Sequence, residues 1–258
     1  MVPICLLMAC TQNAVTGRKS FSLVSEEQMQ QMAVPEYDSF LRVSKVLNNS
    51  NAAMVKRVGL RISNAITKYY TEQGKAEVLN GYKWEYNLVD SKEVNAWCMP
   101  GGKIVVYSGL LPVTQSEEAL AVVMGHEIAH AVAQHGTARM SEAIITQMGG
   151  QALSILLANK AAQTQNIFLT AYGVGTQLGS ALPHSRKQEL EADKYGLLFA
   201  ALAGYDPRVA VSFWERMASA SNGQKPPEFL STHPADETRI AQIKAYMPEA
   251  MKSYKPVR

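Results

Sequence analysis

The sequence predicts an α+β chain that is mainly helical, with one small sheet near its middle. Three observations carry this. Between Asn51 and Tyr70 apolar residues recur every three or four positions, the stripe of an amphipathic helix. Around 84–108 the pattern changes to short alternating or apolar runs broken by Pro100-Gly101-Gly102, which reads as strands joined by a tight turn. A long apolar run, Ala119 to Met124, then leads into Gly125-His126-Glu127-Ile128-Ala129-His130, a helix that carries chemistry.

Composition narrows the function classes. The 258 residues suit one large domain or a domain with an appended arm, and a hydrophobic content of 47% supplies a core. A formal charge of +3, with no basic clusters interleaved with aromatics, argues against a nucleic-acid partner. No repeat of solenoid period occurs. The cysteines are Cys5, Cys10 and Cys98 with no Cys-x-x-Cys, which disfavours a cysteine zinc site.

Taken in order, the chain opens with an apolar run, Val2 to Cys10. It is too short to span a bilayer and reads as the end of a secretion signal. Leu7-Met8-Ala9-Cys10 is similar to a bacterial lipobox. Lipidation of Cys10 would place the protein on a membrane surface without spanning it. Residues 11–24 are polar and read as a tether. Ser25-Glu26-Glu27-Gln28 is a capping box opening a first helix. In the second helix Val55, Val58, Ile62, Ile66 and Tyr69 form the buried stripe. Trp84, Tyr86 and Leu88 alternate as a strand. Val94 to Met99 and Lys103 to Ser108 form a hairpin.

Ser116 caps the next helix, with Glu117 and Glu118 in its first turn. On that helix His126 and His130 are i and i+4, so they share a face, with Cβ atoms about 5–6 Å apart. Two imidazoles there reach one metal ion. Glu127, about 100° further round, flanks the metal and reaches a water activated by it. This is the zinc-peptidase pattern, with the glutamate as general base. The strand before such a helix is a natural edge for an extended peptide substrate, here Asn95, Ala96, Trp97, Cys98 and Met99. The helix is expected to continue through Gly136, so His135, nine residues after His126, lies about 180° from it and points away from the metal, a structural residue. The metzincin spacing fails, because it needs glycine at 133 and histidine at 136, where the chain has Ala133 and Gly136.

Residues 141–182 are rich in Ala, Gly, Leu and Gln. Gln147, Gln151, Asn159 and Lys160 interrupt the apolar run, so two packed helices are expected rather than a membrane span. Ser185 then opens a helix carrying Glu189, Glu191 and Asp193. A His₂Glu zinc site needs one carboxylate beyond its histidines. Glu189 is the expected ligand. Asp193, one turn on, is expected to hold a ligand imidazole from behind, and Glu191 is the weaker ligand candidate. Further on, Asp206-Pro207 opens a helix whose buried face is Phe213, Trp214 and Met217. A last amphipathic helix over 236–247 is expected to stop before Pro248, leaving a loose tail.

Together these pieces resemble a known family. Asn95-Ala96 with Pro100-Gly101-Gly102, the His126–His130 motif, Ser185-Arg186 with Glu189-Leu190-Glu191-Ala192-Asp193, Gly204-Tyr205-Asp206-Pro207, and Ser231-Thr232-His233-Pro234 are similar to the HtpX-type, Oma-type and CAAX-prenyl-protease-type gluzincins, peptidase family M forty-eight. Thr16-Gly17-Arg18-Lys19 resembles the start of its short bacterial lipoprotein members. The resemblance implies a zincin (gluzincin) fold, α+β and mainly helical, with a small sheet carrying the substrate edge strand. It implies one Zn²⁺ on His126, His130 and Glu189, with Glu127 as base. It also implies that His233 steadies the oxyanion or occupies a removable fourth position on zinc. The expected organisation is a signal remnant and tether over 1–24, one metallopeptidase domain over 25–248 and a tail over 249–258. The expected activity is zinc-dependent endopeptidase action on envelope proteins, at the periplasmic side of a bacterial outer membrane. The competing reading is an envelope chaperone or assembly factor with a latent zinc site. His184 departs from the usual aromatic or apolar residue and has no assigned role, and no oligomeric state is assigned.

Overall fold

Helix α2 (Ser50–Glu72) and the three-stranded sheet beside it set the frame of the molecule. The computed structural model describes residues 10–148, 165, 168, 185–219, 228–233 and 237–256. Strands β1 (Cys10–Gln12) and β2 (Lys19–Phe21) form an antiparallel hairpin. Helix α1 (Glu26–Val43) follows, closed by the predicted Ser25–Gln28 capping box. After α2 come β3 (Glu85–Val89), β4 (Ala96–Met99) and β5 (Lys103–Tyr107), and a short helix α3 (Leu111–Thr114). Then follow α4 (Glu117–Val132), α5 (His135–Met148), α6 (Arg186–Leu202), α7 (Val209–Ser219), α8 (Glu228–Thr232) and α9 (Glu237–Ser253).

The sheet has the order β3-β5-β4, with β3 parallel and β4 antiparallel to the central β5. Both faces are covered, so β4 and β5 read as continuously buried rather than alternating. Tyr86, Leu88, Ala96, Cys98, Ile104 and Val106 point into the larger core with α2, α4, α6 and α7. Val89, Trp97, Met99, Val105 and Tyr107 point the other way, onto α1 and α5. In the stripe of α2, Val55, Val58, Ile62 and Ile66 are buried as predicted. The last buried aromatic is Tyr70, whereas Tyr69 is only half-buried.

Helices α4 and α6 pack backbone against backbone, and two glycines permit it. A Cβ on Gly125 would lie 2.8 Å from the Gly196 carbonyl oxygen, and one on Gly196 would lie 2.8 Å from the His126 nitrogen. Backbone therefore meets backbone at the position that carries His126. Among the described residues no helix is long and apolar enough to cross a membrane.

Three further expectations need correction. Residues 11–24 are not a free tether over their described length. Asn13 is buried and donates through Nδ2 to the Val132 carbonyl, and Tyr195 donates through its hydroxyl to the Val15 carbonyl. Polar residues here answer the open carbonyls of a helix end, which composition alone cannot distinguish from solvation. The motif helix does not run through Gly136. Gln134 adopts a left-handed φ of 57° and α5 restarts at His135. The last helix does not stop before Pro248 but continues to Ser253. Proline there removes one hydrogen bond, and Ala250, 3% exposed, keeps the following turn on the core. The paired helices expected in 141–182 lie outside the described residues beyond Met148, as do His184, Pro234 and residues 1–9.

Candidate metal centre

Ser116 accepts from the Ala119 amide and starts α4, so the two histidines appear on its inner face with Glu127 between them. Ser185 and Gln188 close a capping box on α6, which sets Glu189 in its first turn. His233 arrives from the end of α8, its amide bonded to the Phe229 carbonyl. His126, Glu127, His130, Glu189, Asp193 and His233 are all at most 4% exposed.

The four residues His126, His130, Glu189 and His233 place one ligand atom each within 4.8 Å of one another. Nε2 of His126 and Nε2 of His130 are 3.0 Å apart. Glu189 Oε1 is 3.2 Å from His130 Nε2, and Oε2 is 3.5 Å from His126 Nε2. Ligands about 2.0–2.1 Å from a tetrahedral zinc are separated by about 3.3 Å, so this donor set matches one zinc-sized cation. The buried Oε1 of Glu127 accepts no hydrogen bond among the described residues, whereas Oε2 of Glu189 is already ion-paired with Arg239 at 2.6 Å. A buried oxygen such as that of Glu127 requires a partner, and a water or substrate group at the centre would supply one. Nδ1 of His233 lies 3.0 Å from Glu189 Oε1 and 3.3 Å from His126 Nε2, while its Nε2 faces Glu127 Oε1 at 3.4 Å. His233 is thus placed for a fourth ligand position or for a hydrogen bond beside the base.

The surroundings fix these side chains. Asp193 Oδ1 accepts from His126 Nδ1 at 2.9 Å, the position expected of it. Glu191 faces away from the centre and accepts from His135 Nε2 at 2.7 Å. His135, in turn, does not point away as expected. The break at Gln134 folds it back so that its Nδ1 lies 2.8 Å from Nδ1 of His130. Arg239 is the residue that sequence reasoning missed. Its guanidinium donates to both oxygens of Asp193 at 2.6 and 2.8 Å, sits 2.6 Å from Glu189 Oε2, and stacks on Trp214 at 3.6 Å. One signal was available: Arg239 shares a helix face with the buried Ile243 and Ala250, and a cation on an apolar stripe is seldom unpaired.

Charges in the pocket follow from these contacts. Burial pushes Glu189 up, but His233 and Arg239 outweigh it and hold the carboxylate ionised, well below the usual range. Burial likewise raises Asp193, and Arg239 reverses it. Burial lowers His126, yet hydrogen bonds to Asp193 and Glu189 carry it up to about 9. Burial keeps His130 well below its ordinary value, which leaves a neutral imidazole suited to a metal. Glu127 is raised, chiefly by burial and against the pull of His233 and His126.

Glu127, His130 and His233 open on a small cavity whose opposite wall is Asn95, Ala96, Trp97 and Cys98. β4, one of the two edge strands of the sheet, is therefore the strand beside the site, although its residues are only 0–6% exposed. Burial drives the Cys98 thiol far up, so it stays protonated and inert.

The model of peptidase family M48 matches residues 50–247. The chain is 32% identical over 240 residues to the mitochondrial metalloendopeptidase OMA1 of Schizosaccharomyces pombe, covering 92% of this chain and 66% of the relative. It is 29% identical over 246 residues to human OMA1, covering 92% and 46%. It is 32% identical over 188 residues to the beta-barrel assembly-enhancing protease of Escherichia coli, covering 69% and 38%. The chain thus spans about a third to two thirds of the length of these relatives. With helix, carboxylate and histidine pieces converging inside the matched region, the chain belongs to peptidase family M48.

Proposed function

We propose that the chain is a zinc-dependent endopeptidase acting on cell-envelope proteins. The observation that carries this is the convergence of His126, His130 and Glu189 on one zinc-sized position, with Glu127 buried beside it. Bound zinc would supply a Lewis acid that polarises the scissile carbonyl and lowers the pKa of water to about 7. Glu127 takes the proton of the attacking water on its carboxylate and delivers it to the leaving amine. His233 donates from Nε2 to the developing oxyanion, a type of contact whose loss typically costs about 10²–10³ in rate. Asp193 keeps His126 in the Nδ1–H tautomer, so that Nε2 is free to bind. The substrate backbone pairs with β4 at Asn95 to Met99.

One observation favours a second reading of the same site. His233 lies within the four-donor set, so it can close the fourth position and leave the protein latent, in the role of an envelope chaperone or assembly factor. Envelope location rests on the resemblance of Leu7-Met8-Ala9-Cys10 to a lipobox, and the name of the E. coli relative is consistent with it. The OMA1 relatives carry mitochondrial names.

The test is zinc content and casein cleavage for wild type and Glu127→Gln. The variant should keep its zinc and lose about 10²–10⁴ in kcat/KM. Cleavage at the wild-type rate removes Glu127 as base, and zinc-free wild type removes the centre. Rescue of a deletion strain by Glu127→Gln selects the non-proteolytic role.

A further inference from the structure

His126 and His130 both turn Nε2 toward the centre, so each is held from behind at Nδ1. For His126 the holder is a carboxylate, Asp193. For His130 it is another imidazole, Nδ1 of His135 at 2.8 Å. The contacts then run outward, from His135 Nε2 to Glu191 Oε2 at 2.7 Å and from that oxygen to Arg18 Nε at 3.1 Å. We infer that His135, Glu191 and Arg18 are a chain of positioning residues for the ligand His130, and that the β1–β2 hairpin is through Arg18 a working part of the metal centre.

The direction of each hydrogen bond follows from the first. This inference rests on the zinc reading above, in which His130 offers the lone pair of Nε2. Its proton is then on Nδ1, and only one hydrogen fits between two nitrogens this close. His135 Nδ1 must therefore accept, which places the His135 proton on Nε2, where it is donated to Glu191. Without that carboxylate, His135 is free to take the opposite tautomer. Two N–H groups would then face each other and turn the His130 ring off its bonding direction. The ionised Glu191 selects the productive tautomer, and Arg18 holds Glu191 in place.

The hairpin also grips the end of the helix that presents His130. Arg18 donates from its terminal nitrogen to the Ala133 carbonyl at 2.8 Å, and Asn13 donates to the Val132 carbonyl at 3.3 Å. These are carbonyls that a helix terminus leaves open, here because Gln134 turns left-handed. Asn13 is itself fixed by accepting from the Val15 and Thr16 amides at 2.9 Å. The chain runs from a fully buried imidazole (His135, 0%) to side chains 16% and 25% exposed at Glu191 and Arg18, so its outer end can be altered without opening the core.

The experiment uses the full chain and two metal readouts: zinc affinity by competition with a chromophoric chelator, and the visible spectrum of the cobalt-substituted protein. Glu191→Ala and His135→Leu should weaken zinc binding by about 10–100-fold and shift the cobalt bands. Arg18→Ala should do so to a smaller extent. Arg18→Ala combined with Glu191→Ala should lose less than the product of the two single losses, because both act on His130 through His135. His135→Gln, whose amide oxygen can accept from His130 Nδ1, should recover most of the affinity lost in His135→Leu. Wild-type affinity and cobalt spectra in Arg18→Ala and Glu191→Ala, with only the melting temperature lowered, would overturn the inference. Should His135→Leu not fold, the Arg18 and Glu191 variants decide it from the exposed end. Wild type that binds no zinc defeats the reading of the centre itself, a separate result from zinc-binding wild type with indifferent variants.

Discussion

Arg239 neutralises a centre that otherwise gathers Glu127, Glu189 and Asp193 in a buried space. Replacing it by methionine keeps the packing on Trp214 but strands two ionised carboxylates. The expected loss is about 3–5 kcal/mol, measured by urea unfolding. A loss below about 1 kcal/mol would show that the pair is solvated. Glu26 gives the pH dependence. Thr137 donates to its Oε2, its other oxygen is buried without a hydrogen bond within normal geometry among the described residues, and burial outweighs the lowering effect of Thr137 and Gln30 and lifts its pKa from 4.5 to about 7. The fold therefore prefers the neutral acid. The stabilisation is complete below the ordinary value and is lost as pH rises through about 7. Wild type should lose on the order of 1–3 kcal/mol between about pH 5 and pH 8 relative to Glu26→Gln. Parallel stability curves for the two proteins would contradict the shift.

At the scale of elements, the site depends on how closely α4 and α6 approach, because one carries the histidines and the other the carboxylates. Gly196→Ala places a methyl 2.8 Å from the His126 backbone nitrogen, where neither side can yield without a helix shift. The expected cost is about 1–3 kcal/mol, together with weaker zinc binding, since Glu189 moves with α6. A variant that is destabilised yet binds zinc as wild type does would show that the helices separate only locally. The break between α4 and α5 is the other decisive element. Residues up to Val132 follow the helical period, and one left-handed residue, Gln134, then redirects His135 toward His130.

For the whole molecule, the sheet divides two cores, and the N-terminal hairpin lies against the end of the motif helix. Cys10 begins that hairpin. If Cys10 is lipidated, the membrane and the metal centre are joined by an ordered segment rather than a loose one. Cys10→Ala should move the protein from the membrane to the soluble fraction after cell lysis, with its zinc content unchanged. Retention on membranes would remove the anchor.

What the sequence determined by itself is the chemistry. The pairs His126 with His130 and Glu189 with Asp193 are legible because helical spacing of three to four residues fixes which side chains share a face, and that relation is local; that the two pairs serve one centre was an expectation from their pairing and from the family resemblance. The α2 stripe and the β4–β5 hairpin are legible for the same reason. Only the tertiary structure decided which buried groups support that chemistry. Arg239 meets Asp193 across 46 positions, Glu191 meets His135 across 56, and Arg18 meets Glu191 across 173. Such partners are chosen by where backbones pack and where a helix ends, and no local period records either.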